Sequence, residues 1–263
     1  MHMQTTIGHT VSDLHLLTNR SSAGRRMPGL HHAASEAGLF VLNGDIFDFQ
    51  WSIYPNLGQS LWFVENWIGD LVGRHPQCQF VFILGNHDSL PAYAELLEEM
   101  AARHPNLAWD PFYLKVGEKI FLHGDVHNSP TAETLAAYRA RWHGPPRKPW
   151  AHMAYYVFTC LRGPRLIHEL APRHRPAADV ITYLRAELGP RFNEVQDVYY
   201  GHTHKPHSNF IRQGLRFHNT GATLHGVRSR IQTFLYDPAD LARGLEEQAH
   251  RIESIHAEAE QIV

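Results

Sequence analysis

The stretch Phe80-Val-Phe-Ile-Leu84, followed at once by Gly85-Asn86-His87-Asp88, decides the fold. An apolar run with no polar alternation is what a strand looks like when both of its faces are covered, and a sheet buried in this way needs helices on both sides. The polar run that follows places groups able to hold a metal at that strand's end.

Working outward, the same arrangement recurs four more times. Strand-like runs at Thr5 to Val11, Leu39 to Leu42, Lys119 to Leu122 and Asp197 to Tyr200 lead into Val11-Ser-Asp13-Leu-His15, Asn43-Gly-Asp45-Ile-Phe-Asp48, Leu122-His123-Gly-Asp125 and Tyr200-Gly-His202-Thr-His204. A single run of this kind is common by chance. Five at strand ends can converge on one sheet edge, and that convergence is what makes a site.

Between the second and third strands, Leu57 to Val72 carries a helical stripe of Leu61, Val64, Ile68, Leu71 and Val72. Pro91 to Ala102 is a second helix, with Pro91 suited to its first turn. Phe112 to Val116, the turn pair Gly117-Glu118 and Lys119 to Leu122 read as a hairpin that delivers His123 to the same edge.

From 130 to 193 the pattern changes to three helical stripes: Leu135, Tyr138, Trp142; Met153, Tyr156, Val157, Cys160, Leu161; and Val180, Ile181, Leu184, Leu188. Prolines punctuate them. This segment is expected to be a helical cap inserted over the sheet edge, with its middle stripe packed against the body. Beyond it, strands are expected at Leu215 to His218 and Ile231 to Tyr236. A last helix opens on Asp237-Pro238 and turns Leu241, Leu245, Ile252 and Ile255 inward.

The bulk numbers bound the reading. The 263 residues are 43 % hydrophobic and 19 % charged, ordinary for a folded globular chain, and the formal net charge is −2. No global basic field therefore announces nucleic-acid binding, and none is expected. Cys78 and Cys160 match no metal-binding or disulfide spacing, no apolar run reaches bilayer length, and the first residues lack a secretory pattern, so a cytoplasmic location is expected. Histidine is the outlier with 21 copies; since a two-metal centre uses only a few, position and not number must identify ligands.

Two divalent cations about 3.5–4 Å apart can orient a phosphate and generate hydroxide at neutral pH, but they repel and need a bridging anion, for which aspartate is suited. With two carboxylates and one hydroxide against the two cations, such a centre retains a charge of about +1 and still attracts a phosphate.

Taken together, the five runs resemble the calcineurin-like metallophosphoesterases, matching Asp-x-His, Gly-Asp-x-x-Asp, Gly-Asn-His-Asp, a lone His and Gly-His-x-His at every position. The resemblance implies an α/β fold, a four-layer αββα sandwich carrying the helical cap, and a metal-dependent hydrolase of phosphoric esters or pyrophosphates. It implies one metal held by Asp13, His15, Asp45 and His204 and another by Asp45, Asn86, His123 and His202, with Asp45 as the bridge. The cations are manganese, iron or zinc, manganese being expected first. His87 is implied as general acid or charge stabiliser, oriented by Asp48, while hydroxide held by the metals attacks phosphorus.

Asp88 and Asp125 are read as structural, and His9, His127 and His207 as surface or supporting residues. The cap's basic set, Arg139, Arg141, Arg147, Lys148, Arg162, Arg165, Arg173 and Arg175, is read either as solvated surface or as a phosphate clamp that Arg20, Arg25 and Arg26 could join.

The cap's place in the chain and the opening Ser12-Asp-Leu-His-Leu16 are similar to the UDP-2,3-diacylglucosamine pyrophosphatases, in which a cap of this kind receives acyl chains. This chain has His87 where those enzymes carry arginine after the asparagine, which favours a broader phosphoesterase chemistry, on nucleotides or small phosphorylated metabolites. An inert protein-binding scaffold would have lost ligands; here every expected ligand position is filled. Membrane contact through the cap and the oligomeric state are left open by the sequence.

Overall fold

In a computed structural model the chain is described over residues 5–127, 129, 131–144, 147–160 and 174–260. Among the described residues, ten strands form two sheets. The first contains β1 (Thr6–Val11), β2 (Leu39–Asn43), β3 (Gln79–Ile83), β4 (Leu107–Asp110) and β10 (Gln232–Tyr236), in the order β10-β1-β2-β3-β4. The second contains β5 (Tyr113–Val116), β6 (Lys119–Leu122), β7 (Asp197–Tyr200), β8 (His207–Arg212) and β9 (Leu215–Asn219), in the order β5-β6-β7-β9-β8.

Alternation along the strands explains the layering. On β2, Phe40 and Leu42 face outward with Phe80 and Phe82 of β3, and these meet Leu30, Ala33 and Ala34 of α1 (Met27–Glu36), Val64, Ile68 and Leu71 of α2 (Leu57–Arg74), and Tyr93, Leu97 and Met100 of α3 (Pro91–Arg103). The intervening Leu39, Val41, Val81 and Ile83 face the second sheet and pack on Leu114, Val116, Phe121 and Tyr199. The outer face of that sheet, Ile120, Leu122, Val198 and Tyr200, is covered by Val180, Ile181, Leu184 and Leu188 of α6 (His174–Leu188). Helices, sheet, sheet and helix make the four-layer αββα sandwich. Removing this apolar surface from water, at about 25 cal/mol per Å², holds the layers together.

Two further helices, α4 (Ala132–Ala140) and α5 (Pro149–Cys160), lie between β6 and α6 in the chain. The last helix, α7 (Pro238–Glu260), starts after Asp237, whose side chain accepts the backbone N–H of Ala239 at 2.9 Å.

Several expectations are corrected. The third helical stripe of the inserted segment covers a sheet face as α6 and so belongs to the sandwich wall. The middle stripe is not packed inward: Met153 and Val157 are 64 % and 49 % exposed and Tyr156 is exposed as well, because α5 turns this side to solvent. The side chain of Cys160, Leu161, Arg162, Arg165 and Arg173 lie outside the described residues. On α7, Ile255 is exposed. Of the histidines read as surface or supporting, His9 and His207 are buried rather than at the surface: His9 Nδ1 lies 3.1 Å from the Thr233 hydroxyl, and His207 Nδ1 lies 2.9 Å from the Lys205 carbonyl. Helix α1 and strands β4 and β8 were not expected. α1 buries only Leu30, Ala33 and Ala34 and opens on Pro28-Gly29, whereas β8 is a polar edge strand with one buried residue.

Candidate metal centre

β1, β2 and β3 run parallel, so their C-terminal ends meet on one edge and carry Asp13, His15, Asp45, Asp48, Asn86 and His87 there. β6 and β7 are parallel in the facing sheet and bring His123, His202 and His204 to the same edge. The five sequence runs therefore converge across two packed sheets.

The backbone at these ends is unusual. Asp13, His15, Asp45, His202 and His204 all have positive φ, between +46° and +61°. Such left-handed conformations are costly for residues other than glycine and persist only where the surroundings over-determine them, which is typical of binding sites. Here the turns lock together: Asp13 N–H donates to Gly44 O and His15 N–H to Asp45 O, each at 3.0 Å. Glycine is required where chains approach most closely. A Cβ on Gly85 would collide with the Asp45 carboxylate, and one on Gly201 with that of Asp13.

The side chains gather into overlapping groups. Asp13, His15 and His204 form one possible metal-holding set, Asp45, His123 and His202 another, and His15, Asp45 and His87 a third that joins them. His204 Nε2 lies 3.1 Å from Asp13 Oδ1 and 3.2 Å from His15 Nε2. His123 Nε2 lies 3.1 Å from Asp45 Oδ2, yet makes no hydrogen bond, and Asn86 Oδ1 is likewise buried without a hydrogen-bond partner among the described residues. Buried polar atoms left this way are rare. An imidazole nitrogen and a carboxylate oxygen close together but misaligned for a hydrogen bond are aimed at a common point, as ligands of one cation are. The His, Asp and Asn donors suit manganese, iron or zinc, so these residues fit a divalent metal.

Charge reinforces the fit. Burial pushes the Asp45 carboxyl up, but the imidazoles of His123, His87 and His15 hold it well below the carboxylate range; Asp13 is likewise lowered against burial, by His204 and His123. Burial brings His15 and His202 down to about 4, which keeps both imidazoles neutral, the form that ligates. Burial opposes protonation of His123, yet Asp45 raises it to about 10, so a cation arriving there displaces a proton.

Asp48 and His87 sit beside this group. His87 Nδ1 lies 3.1 Å from Asp48 Oδ1, and the His87 backbone N–H donates to Asp45 Oδ1 at 2.8 Å. Burial lowers the His87 pKa, but Asp48 and Asp45 outweigh it and raise it to about 9, leaving the ring protonated at neutral pH. The other oxygen of Asp48 receives the Arg20 guanidinium. That guanidinium is held between rings, 5.1 Å from the centre of Trp51 and 4.7 Å from that of Tyr155 on α5. Trp142, just past α4, lies 4.6 Å from the His87 ring centre to centre.

The surrounding polar residues divide. Asp88 accepts the N–H groups of Ile46 and Gly85 at 2.7 Å and so ties two of the turns together. Asp125 takes both arms of Arg139 at 2.7 and 2.8 Å, and Arg139 also donates to the Leu84 carbonyl at 2.8 Å. With 3 % exposure, Arg139 is neither solvated surface nor phosphate clamp; it is a buried strut, because its carboxylate partner is inside. Arg147 reaches Gln50 Oε1 at 3.1 Å, Arg141 and Arg175 are exposed, and His127 pairs at the surface with Asp179 at 2.7 Å. Arg25 and Arg26 do not join Arg20; they line a separate cavity. The contact of Trp142 with His87 had no signal in the sequence beyond a place in a helical stripe.

Outside the metal-facing edge, a cavity of about 910 Å³ lies between the 52–55 loop and α5, lined by Ile53, Tyr54, Arg147, Lys148, Met153 and Tyr156 among others. No helix among the described residues is long and apolar enough to cross a membrane.

Comparison with known families finds that the model described as calcineurin-like phosphoesterase matches residues 10–206, a span holding all five runs. Among curated proteins, no match is found.

Proposed function

From the premise that the chain belongs to the calcineurin-like phosphoesterases, we propose that it is a dinuclear-metal-dependent hydrolase of phosphoric esters or pyrophosphates. The observation that carries this reading is the shared position of Asp45, which belongs with His123 and His202 on one side and with His15 on the other. In this reading Asp13, His15, Asp45 and His204 hold one cation, and Asp45, Asn86, His123 and His202 the other. When bound, the pair supplies Lewis acidity toward phosphoryl oxygens and activation of water.

The chain's own residues supply the rest. Asp48 pairs with the charged ring of His87 across 3.1 Å at Nδ1, without the alignment of a hydrogen bond, while Nε2 carries a proton toward the departing oxygen. Asp45 and Asp48 keep that proton on the ring at neutral pH. Arg20 steadies the other oxygen of Asp48, and the ring of Trp142 covers one side of His87 and limits water there. No covalent bond between protein and phosphorus is needed.

A second reading, a UDP-2,3-diacylglucosamine pyrophosphatase-like activity, is favoured by one observation: the 910 Å³ cavity is lined in part by apolar residues, beside exposed Met153 and Val157. His87 after Asn86 favours the broader reading. A hydrolysis panel in manganese separates the two: bis-p-nitrophenyl phosphate, p-nitrophenyl phosphate, nucleoside diphosphates, cyclic nucleotides, single-stranded oligonucleotides and UDP-diacylglucosamine. The first reading expects chelator-sensitive turnover of small esters and no oligonucleotide cleavage. Strong preference for the lipid supports the second, and no turnover of any member contradicts both.

A further inference from the structure

On the far side of the Asp13 turn lies a cavity of about 520 Å³ with three arginines on its wall, Arg25, Arg26 and Arg230, and no acidic residue. Among the described residues, none of the three guanidinium groups makes an ion pair or a side-chain hydrogen bond. Elsewhere the chain pairs many of its arginines: Arg20 with Asp48, Arg139 with Asp125, Arg216 with Asp197 and Arg251 with Asp110. Three like charges left together around a concavity raise one another's energy, and an anion placed among them relieves this.

Two other features border the same space. The Oγ of Ser229, a lining residue, is buried without a hydrogen-bond partner among the described residues. Gly29, in the first turn of α1, also lines the cavity, and that turn carries no acidic residue and no side-chain cap. The inner wall is apolar, with Val11, Leu14 and Leu30. Guanidinium forks, a hydroxyl and a helix start around an apolar floor match a phosphorylated organic anion.

The geometry points to a second anion site, separate from the metal centre, that binds an organic phosphate carrying two or more negative charges. Its placement suits regulation. Thr223 lines the cavity, and its backbone N–H donates to Asp13 O at 3.0 Å while its hydroxyl donates to Leu14 O at 2.8 Å. An occupant would therefore brace the turn that carries Asp13 and His15 from behind. This inference does not depend on the hydrolytic reading, since it concerns binding alone.

The test is calorimetric titration of the manganese-loaded protein with methylenediphosphonate, which resists hydrolysis, in the wild type and in R25A/R26A/R230A. All three arginines are exposed, so the substitutions spare the core. The wild type is expected to show two classes of site, and the triple variant to lose one of them by roughly tenfold or more in affinity while its basal hydrolysis stays within about twofold. A second variant, Gly29→Glu, offers the arginines an internal carboxylate, and an added Cβ there meets nothing within 4 Å. It is expected to lose the same class of site. Binding in both variants indistinguishable from wild type overturns the proposal, whereas a single class in the wild type that both variants lose supports it.

Discussion

The metal-facing edge and the helices α4 and α5 differ in what holds their charged groups. At the edge, carboxylates and imidazoles sit buried or half-buried on strained turns, five of them with positive φ, and Asp13 and Asp45 each accept a backbone N–H from a neighbouring turn. Around α4 and α5, basic residues follow no such rule: Arg139 is a fully enclosed strut, whereas Arg141 and Arg147 are exposed, and α5 turns Met153 and Val157 to solvent. The difference teaches that residue type alone predicts role only where the backbone is over-determined. In the helices, role depends on which partner happens to be inside.

The comparison is sharpened first at His87. His87→Ala is expected to lower kcat by about 10²–10⁴-fold with metal content retained, because the ring is read as a proton donor beside the ligands. Loss of metal instead would move His87 into the ligand set.

Next in size is Arg139. Removing it leaves Asp125 buried and unpaired, so Arg139→Ala should destabilise the fold by about 3–5 kcal/mol in denaturant melts, with turnover per folded molecule little changed. A large fall in turnover at unchanged stability would make it part of the substrate site after all.

Arg20 joins the two regions, touching Asp48 at the edge and Tyr155 on α5. Arg20→Ala is expected to reduce kcat by about 10–100-fold with KM and metal content held, as loss of a supporting partner does. Arg20→Lys, which keeps charge but not the stacked plane, should recover part of it. A change in KM alone would mean that Arg20 binds substrate directly.

The smallest effect lies away from both regions, where Asp197 accepts two bonds from Arg216 at 2.7 Å and lies 2.9 Å from His218 Nε2. Burial opposes ionisation of Asp197, but these partners hold its pKa below the usual carboxylate range. A depressed folded pKa stabilises the native state above the ordinary value near 3.9 and loses that contribution as pH falls through the folded pKa. Asp197→Asn should therefore cost about 1 kcal/mol at pH 7, the partly exposed Arg216 limiting its size, and the gap should narrow below about pH 4.

How much of this was legible beforehand follows the same division. The core strands and their polar ends could be read because Phe80 to Leu84 is apolar on both faces and because five runs repeat one placement. The stripe of Val180, Ile181, Leu184 and Leu188 reads as a helix, but periodicity carries no address, so its place on the second sheet's outer face was not legible. The stripe of Met153, Tyr156 and Val157 misled for a related reason: an apolar helix side announces a partner without saying that the partner belongs to the chain. Arg20 could not be placed, since its partner Asp48 is 28 residues away and the rings around it come from two separate segments.

The claim on which everything rests is that Asp45 joins two cations. Electron paramagnetic resonance of the protein loaded with two manganese equivalents tests it directly. The wild type should show the multiline spectrum of an exchange-coupled pair, and Asp45→Ala only isolated manganese, with hydrolysis reduced to background and the fold retained. A wild type that holds a single uncoupled ion at saturation, or an Asp45→Ala protein that keeps the coupled spectrum and full turnover, would contradict it.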